Sequence, residues 1–155
     1  MSYQFTVPGP AVPQGRPIFT MRGGRRWAID PPRSREYKAK VRAYARQASK
    51  PRLIEGAVRL LVLEYRPIPK SWSKRKQEAA RNQQIYPTIR PDFDNIIKAI
   101  ADALTGVFWK DDRQIVDGHV RQFYSDNPRV VVEVEEIRPC SEGQGKTGET
   151  DNERA

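Results

Sequence analysis

Residues 57–65, Ala57-Val58-Arg59-Leu60-Leu61-Val62-Leu63-Glu64-Tyr65, are apolar at most positions, with Gly56 before them and Pro67 shortly after. A run of this length and composition reads as a strand buried on both faces, hence the central strand of a sheet. The rest of the chain has to be arranged around it. At 155 residues there is material for one core and not two.

The flanking segments supply partners of both kinds. Tyr3, Phe5 and Val7 alternate over residues 2–8 as a short strand ended by Pro8-Gly9-Pro10. A Pro-, Gly- and Arg-rich stretch follows to Pro32, in which Ile18-Phe19-Thr20 can pair with Trp27-Ala28-Ile29 across Gly23-Gly24. Ser34 is a candidate cap for a helix to about Ser49, with Tyr37, Val41, Tyr44 and Ala48 as its apolar stripe. Beyond the central strand, a polar helix runs to about Gln83, and a second helix follows Pro91, burying Ile96, Ile97, Ile100, Ala103 and Leu104 until Gly106 stops it. Ile115 to Tyr124 and Arg129 to Ile137 alternate as strands across Ser125-Asp126-Asn127-Pro128, which predicts an antiparallel hairpin. The fold class is therefore α+β, a small mixed sheet of about four or five strands with two or three helices packed on it. That domain spans residues 1–138, and the polar stretch 139–155 lacks the apolar groups to fold and is expected to be disordered.

Charge narrows the partners. The net charge is +9, and the last fifteen residues hold four acidic and two basic groups, so residues 1–140 carry +11. An excess of that size points to a polyanion, with binding that weakens steeply as salt rises. Arg16, Arg22, Arg25 and Arg26, the helical ridge Arg35, Lys38, Arg42 and Arg46, and the segment Lys70 with Lys74, Arg75 and Lys76 are candidate nucleic-acid contacts. The ridge reads equally well as a solvated helix face, and Trp72 as either a base-stacking platform or a packing anchor. No run of eighteen apolar residues occurs and Met1-Ser2-Tyr3-Gln4-Phe5 is no signal peptide, so no membrane association is expected and the localisation is cytoplasmic. One cysteine, Cys140, and one histidine, His119, exclude a disulfide framework and a cysteine-based zinc site. A metal in this chain would be held by oxygen.

The oxygens are conspicuous. Asp92 and Asp94 stand one residue apart in Arg90-Pro91-Asp92-Phe93-Asp94-Asn95, Lys98 follows at helical spacing, and Asp111-Asp112 come later. Carboxylates beside a lysine in a basic chain suit a divalent cation set against a phosphodiester, whose transition state gathers negative charge on the phosphoryl oxygens. Asp92 and Asp94 project to one side if the entry to the helix is extended there. Of Asp111 and Asp112 only one is expected to face inward, and spacing does not choose between them. Lys98 lies one turn from Asp94, as a phosphate contact or as an i,i+4 ion pair worth only a few tenths of a kcal/mol. Asp102 and Asp117 read as structural. An EF-hand is excluded because Ile96 and Ile97 occupy the positions that need a carboxylate or amide and a glycine. A restriction-type pattern is half met, since Gln114 stands where lysine belongs.

The run from Asp92 to Leu104, followed by Phe108-Trp109-Lys110-Asp111-Asp112-Arg113-Gln114-Ile115-Val116, closely resembles the RusA family of Holliday junction resolvases, often carried by prophages. The resemblance is strongest over residues 88–137. It implies a RusA-like fold, metal-binding aspartates at Asp92, Asp94 and Asp112, and an essential lysine at Lys98. It also implies Mg²⁺ as cofactor, with Mn²⁺ as a substitute, and a homodimer that nicks two strands of branched DNA symmetrically in recombination and repair. The rivals are a nuclease of other branched or single-stranded DNA and a non-catalytic junction-binding protein.

Overall fold

β4 (Ala57–Pro67) takes the interior position that its composition demands: one edge pairs in parallel with β5 (Ile115–Ser125), the other antiparallel with β6 (Arg129–Ile137). β1 (Ser2–Pro8) pairs with β6, giving a four-stranded mixed sheet in the order β1-β6-β4-β5. The computed structural model describes residues 1–140. Apart from Pro139 and Cys140, the tail expected to be disordered lies outside the described residues.

The hairpin expected of β5 and β6 does not form. They are joined by a short turn, yet β4 lies between them. A strand apolar on both faces needs a hydrogen-bonding neighbour at each edge, and this need overrides the closeness in sequence of the two flanking strands. The ribbon at the Gly23-Gly24 turn does form: β2 (Ile18–Arg22) and β3 (Arg25–Ile29) pair with Ile18 opposite Ile29 and Thr20 opposite Trp27. Gly23 and Gly24 both have positive φ, at 56° and 74°, which side chains other than glycine rarely adopt. This ribbon stands apart from the main sheet, with Ile18, Phe19, Met21 and Trp27 each more than half exposed.

One face of the main sheet carries the core. Leu60 and Val62 of β4 and Val130, Val132 and Val134 of β6 are buried on it, with Phe5 and Val7 of β1. Two helices cover them, α1 (Pro32–Ala48) and α3 (Phe93–Leu104), packed against each other. α3 buries Ile96, Ile100, Ala103 and Leu104 as its periodicity predicts, and Ala99 and Ala101 besides, while Ile97 is only half-buried. β5 approaches α3 at Gly118, where a Cβ would come 3.2 Å from Ile97 Cδ1. α1 begins earlier than expected, at Pro32 behind Pro31. Ser34 is therefore not its cap; it is buried in the first turn, where its hydroxyl accepts from the Gly15 N–H at 3.1 Å. The buried face of α1 is Ser34, Tyr37, Lys38, Val41 and Ala45, while Tyr44 is half-buried and Ala48 exposed.

The polar helix is α2 (Lys74–Arg81), capped by Ser73, whose hydroxyl accepts from the Lys76 N–H at 3.3 Å. Trp72 is its anchor, set edge-on to the buried Tyr124 at 5.2 Å between ring centroids. Lys76 Nζ lies 4.0 Å from the centroid of the same indole. Among the described residues, no helix is long and apolar enough to cross a membrane.

Candidate active site

α3 starts where it does because Asp92, its N-cap, has extended backbone (φ −73°, ψ 150°) directly after Pro91. Asp92 makes no capping hydrogen bond, so its carboxylate is not spent on the helix end. Asp94 sits in the first turn, where the partial positive charge of the unpaired N–H groups favours an anion. Both carboxylates are exposed, and so is Lys98. Among the described residues no Asp94–Lys98 ion pair forms, so the lysine is not neutralised by its helical neighbour.

Asp92, Asn95 and Lys98 line an open cleft of about 660 Å³, whose far wall is the loop Pro13–Pro17 with Arg16, and whose rim includes Arg90. The loop is held to α3 by the Gln14 N–H, which donates to the Asn95 carbonyl at 3.0 Å. It is held to α1 at Gly15, where a Cβ would lie 2.7 Å from Pro31 Cγ and 2.9 Å from Ser34 Oγ. Only glycine allows that approach, and the approach is what carries Arg16 to the cleft. Sequence reasoning assigned no role to Arg90 or Asn95, although both adjoin the aspartates.

Asp112 lies elsewhere. It lines a second cleft of about 510 Å³ with Asp102, Thr105 and Lys110, at the C-terminal end of α3. Along α3 the two clefts come within about one turn of each other, at Lys98 and Asp102. Asp111 is committed locally: it caps the short turn Asp112–Gln114, accepting from the Arg113 N–H at 2.9 Å and from the Arg113 guanidinium at 2.7 and 3.0 Å. Those hydrogen bonds hold its pKa down to about 2. Asp112 is the member of the pair that is exposed.

The set Asp92, Asp94 and Asp112 that the family resemblance implies is thus not brought together within one chain. Among the described residues, no group of three or more carboxylates, histidines or cysteines is placed to hold a metal ion. What one chain does present is a pair of hard oxygen donors at the start of α3, which suits Mg²⁺ or Mn²⁺, ions that bind through one or two carboxylates and keep the remaining positions for water and phosphate.

Lys38 is a correction to the basic ridge. Its ammonium is buried between two carboxylates, 2.6 Å from Asp30 and 3.3 Å from Asp102, and Gln14 Nε2 donates to Asp30 at 3.1 Å. A lysine placed this way ties α1 to α3 and to the end of β3, with two of its three N–H donors taken by carboxylates. Lys38 lowers the pKa of Asp30. A depressed native pKa means that the ion pair stabilises the fold above the unfolded value of about 3.9 and that this contribution is lost as pH falls through the native value. Acid titration followed by circular dichroism is expected to show a loss of stability below about pH 4 that is smaller in Asp30→Asn. Asp102 is structural, as expected, and Asp117 pairs with Arg59 at 2.7 Å and with His119 at 2.7 Å.

The other candidate DNA contacts remain on the surface. Arg16, Arg22, Arg25, Arg26, Arg35, Arg46, Lys70, Lys74, Arg75 and Lys76 are exposed, and Arg42 is half-buried at the second cleft. The guanidinium of Arg26 covers the ring of Phe19 at 4.0 Å, so the isolated ribbon presents both cations and apolar surface.

A basic α+β domain that sets the carboxylate of Asp92 and the ammonium of Lys98 in a cleft with Arg16 and Arg90 belongs to the class of proteins that handle nucleic-acid phosphates. The chain is a member of the RusA endodeoxyribonuclease family: the family described as Endodeoxyribonuclease RusA matches residues 8–135. Among curated relatives it is similar to Uncharacterized protein YqaN of Bacillus subtilis (strain 168), 43% identical over 136 residues, covering 86% of this chain and 96% of the relative.

Proposed function

We propose that the protein resolves four-way DNA junctions as a Mg²⁺-dependent homodimer, making paired symmetric nicks during recombination and repair. The observation that carries this reading is the cleft at the start of α3, where Asp92 and Lys98 face Arg16 and Arg90. Asp92 and Asp94 would hold the ion, with Asp112 of the partner subunit as a further ligand, since among the described residues no three carboxylates of one chain are placed to hold a metal. When bound, the ion supplies Lewis acidity against the charge that gathers on the phosphoryl oxygens. Lys98 adds a fixed positive charge on the same side of the scissile phosphate. Arg16 and Arg90 hold the strand by its phosphates and carry no sequence information. A two-fold dimer gives two such sites, matched to two symmetry-related strands of a four-way junction.

Incubating the protein with labelled four-way, forked and linear DNA, with and without Mg²⁺, tests this. The expected result is paired cuts in the four-way substrate only when Mg²⁺ is present. Binding is expected to fall linearly in log affinity against log salt, by about 0.9 in slope for each duplex phosphate contacted. Cutting of forks or single strands in preference would move the substrate assignment. Binding with no cleavage at any Mg²⁺ concentration would leave a junction-binding protein.

A further inference from the structure

Arg66 lies at the end of β4, 8% exposed, beneath the chain that leads into α3. Its Nε donates to Glu64 Oε1 at 2.9 Å, and its Nη2 to Glu64 Oε2 at 3.4 Å. The other donations go to main chain. Nη1 reaches the carbonyls of Ile89 at 2.8 Å and Arg90 at 3.3 Å, and Nη2 reaches that of Pro91 at 2.6 Å. Three consecutive carbonyls, the last of them next to Asp92, therefore end on one guanidinium. Residues 86–91 have no regular secondary structure, so their position depends on whatever receives their carbonyls.

The guanidinium is itself fixed. Glu64 is 2% exposed, and its carboxylate also accepts from Gln122 Nε2 of β5 at 2.8 Å. Tyr37 of α1 stands near the same charge; burial, and then Glu64, raise its pKa, so its hydroxyl stays protonated. The rigid interior of the sheet is thereby connected to the entry of α3 through a single side chain. A lysine in this place has one compact ammonium and no planar fork, and it cannot reach the carboxylate and three carbonyls together.

We infer that Arg66 is a positioning residue for the active site, holding the Ile89–Pro91 backbone so that Asp92 is delivered at a fixed place in the cleft. This rests on the reading of Asp92 as a catalytic carboxylate. Supporting residues of this kind, removed, cost about 10- to 100-fold in activity or metal affinity.

The test compares wild type with Arg66→Lys and with the paired variant Glu64→Leu/Arg66→Leu, which removes both buried charges and so avoids leaving Glu64 uncompensated if the single variant does not fold. The expected result in a folded variant is kcat for junction cutting reduced about 10- to 100-fold, junction Kd unchanged, and a higher Mg²⁺ concentration for half-maximal rate. Hydrogen exchange by mass spectrometry is expected to be faster over residues 89–95 and unchanged in β1 and β6. A folded variant with wild-type kcat overturns the inference, whether or not exchange is faster. Should the wild type cut no DNA, the functional reading fails by itself, and exchange still judges Arg66: unchanged protection over 89–95 overturns its hold on the segment, and faster exchange supports it.

Discussion

Asp92→Asn and Asp94→Asn are each expected to lose cleavage of a four-way junction by about 1,000-fold or more, while binding to the same junction is retained or tightened. The size follows from what the carboxylates hold. A divalent cation contributes several kcal/mol to stabilising a phosphoryl transition state, and each 1.4 kcal/mol is tenfold in rate. Asparagine keeps the shape and one oxygen but removes the charge that retains the ion. Binding moves the other way because Asp92 lines a cleft whose remaining charged groups are Arg16, Arg90 and Lys98. Removing an anion there makes the cleft more attractive to phosphate. The fold is expected to be unaffected, since both side chains are exposed and Asp92 makes no capping hydrogen bond. Gel-shift binding and cleavage of one labelled junction, measured side by side, separate the two effects. Cutting at wild-type rate by either variant in Mg²⁺ would end the assignment of the site.

Much of the fold was legible because local chemistry and global need agree. β4 is apolar on both faces and sits inside the sheet; α3 shows a clean helical stripe and packs on it; the paired glycines Gly23 and Gly24 set the β2–β3 register. β5 and β6 misled because a connection of three residues looks the same whether its strands pair or admit a third between them. What decides is the demand of β4 for two neighbours, a property of a different segment. Lys38 misled for a related reason. It falls at helical spacing with Arg35 and Arg42, and the carboxylates that bury it, Asp30 and Asp102, approach only once α1 lies on α3.

The candidate site divides in the same way. Residue types and spacing pointed to Asp92, Asp94 and Lys98, because all three belong to the start of one helix and helical geometry fixes their relation. Asp112 comes from a separate segment, and no local rule says which end of α3 it will meet. Arg66 gave no signal either: in sequence it is one cation at the end of a strand, and its function depends on carbonyls 23 to 25 residues away.

Asp92→Asn and Asp112→Asn, each inactive alone, are expected to recover cutting when mixed under conditions that let subunits exchange. Among the described residues no three carboxylates of one chain are placed to hold a metal ion, so under the proposed function a site using both Asp92 and Asp112 draws them from two chains. In a mixed dimer, one site then carries both substitutions and the other carries neither. Random exchange makes about half of the dimers mixed, so about a quarter of all sites are intact. The product is expected to change as well: a dimer with one live site nicks a single strand of the junction and leaves it unresolved, in place of the paired cuts proposed for the wild type. Asp92→Asn mixed with Asp94→Asn is the control, because both residues come from the same chain and every site in that mixture lacks one of them. A pair of variants at Asp92 and Asp112 that stays dead after exchange, with mixed dimers verified by mass, would mean that the two carboxylates do not serve one site across the dimer.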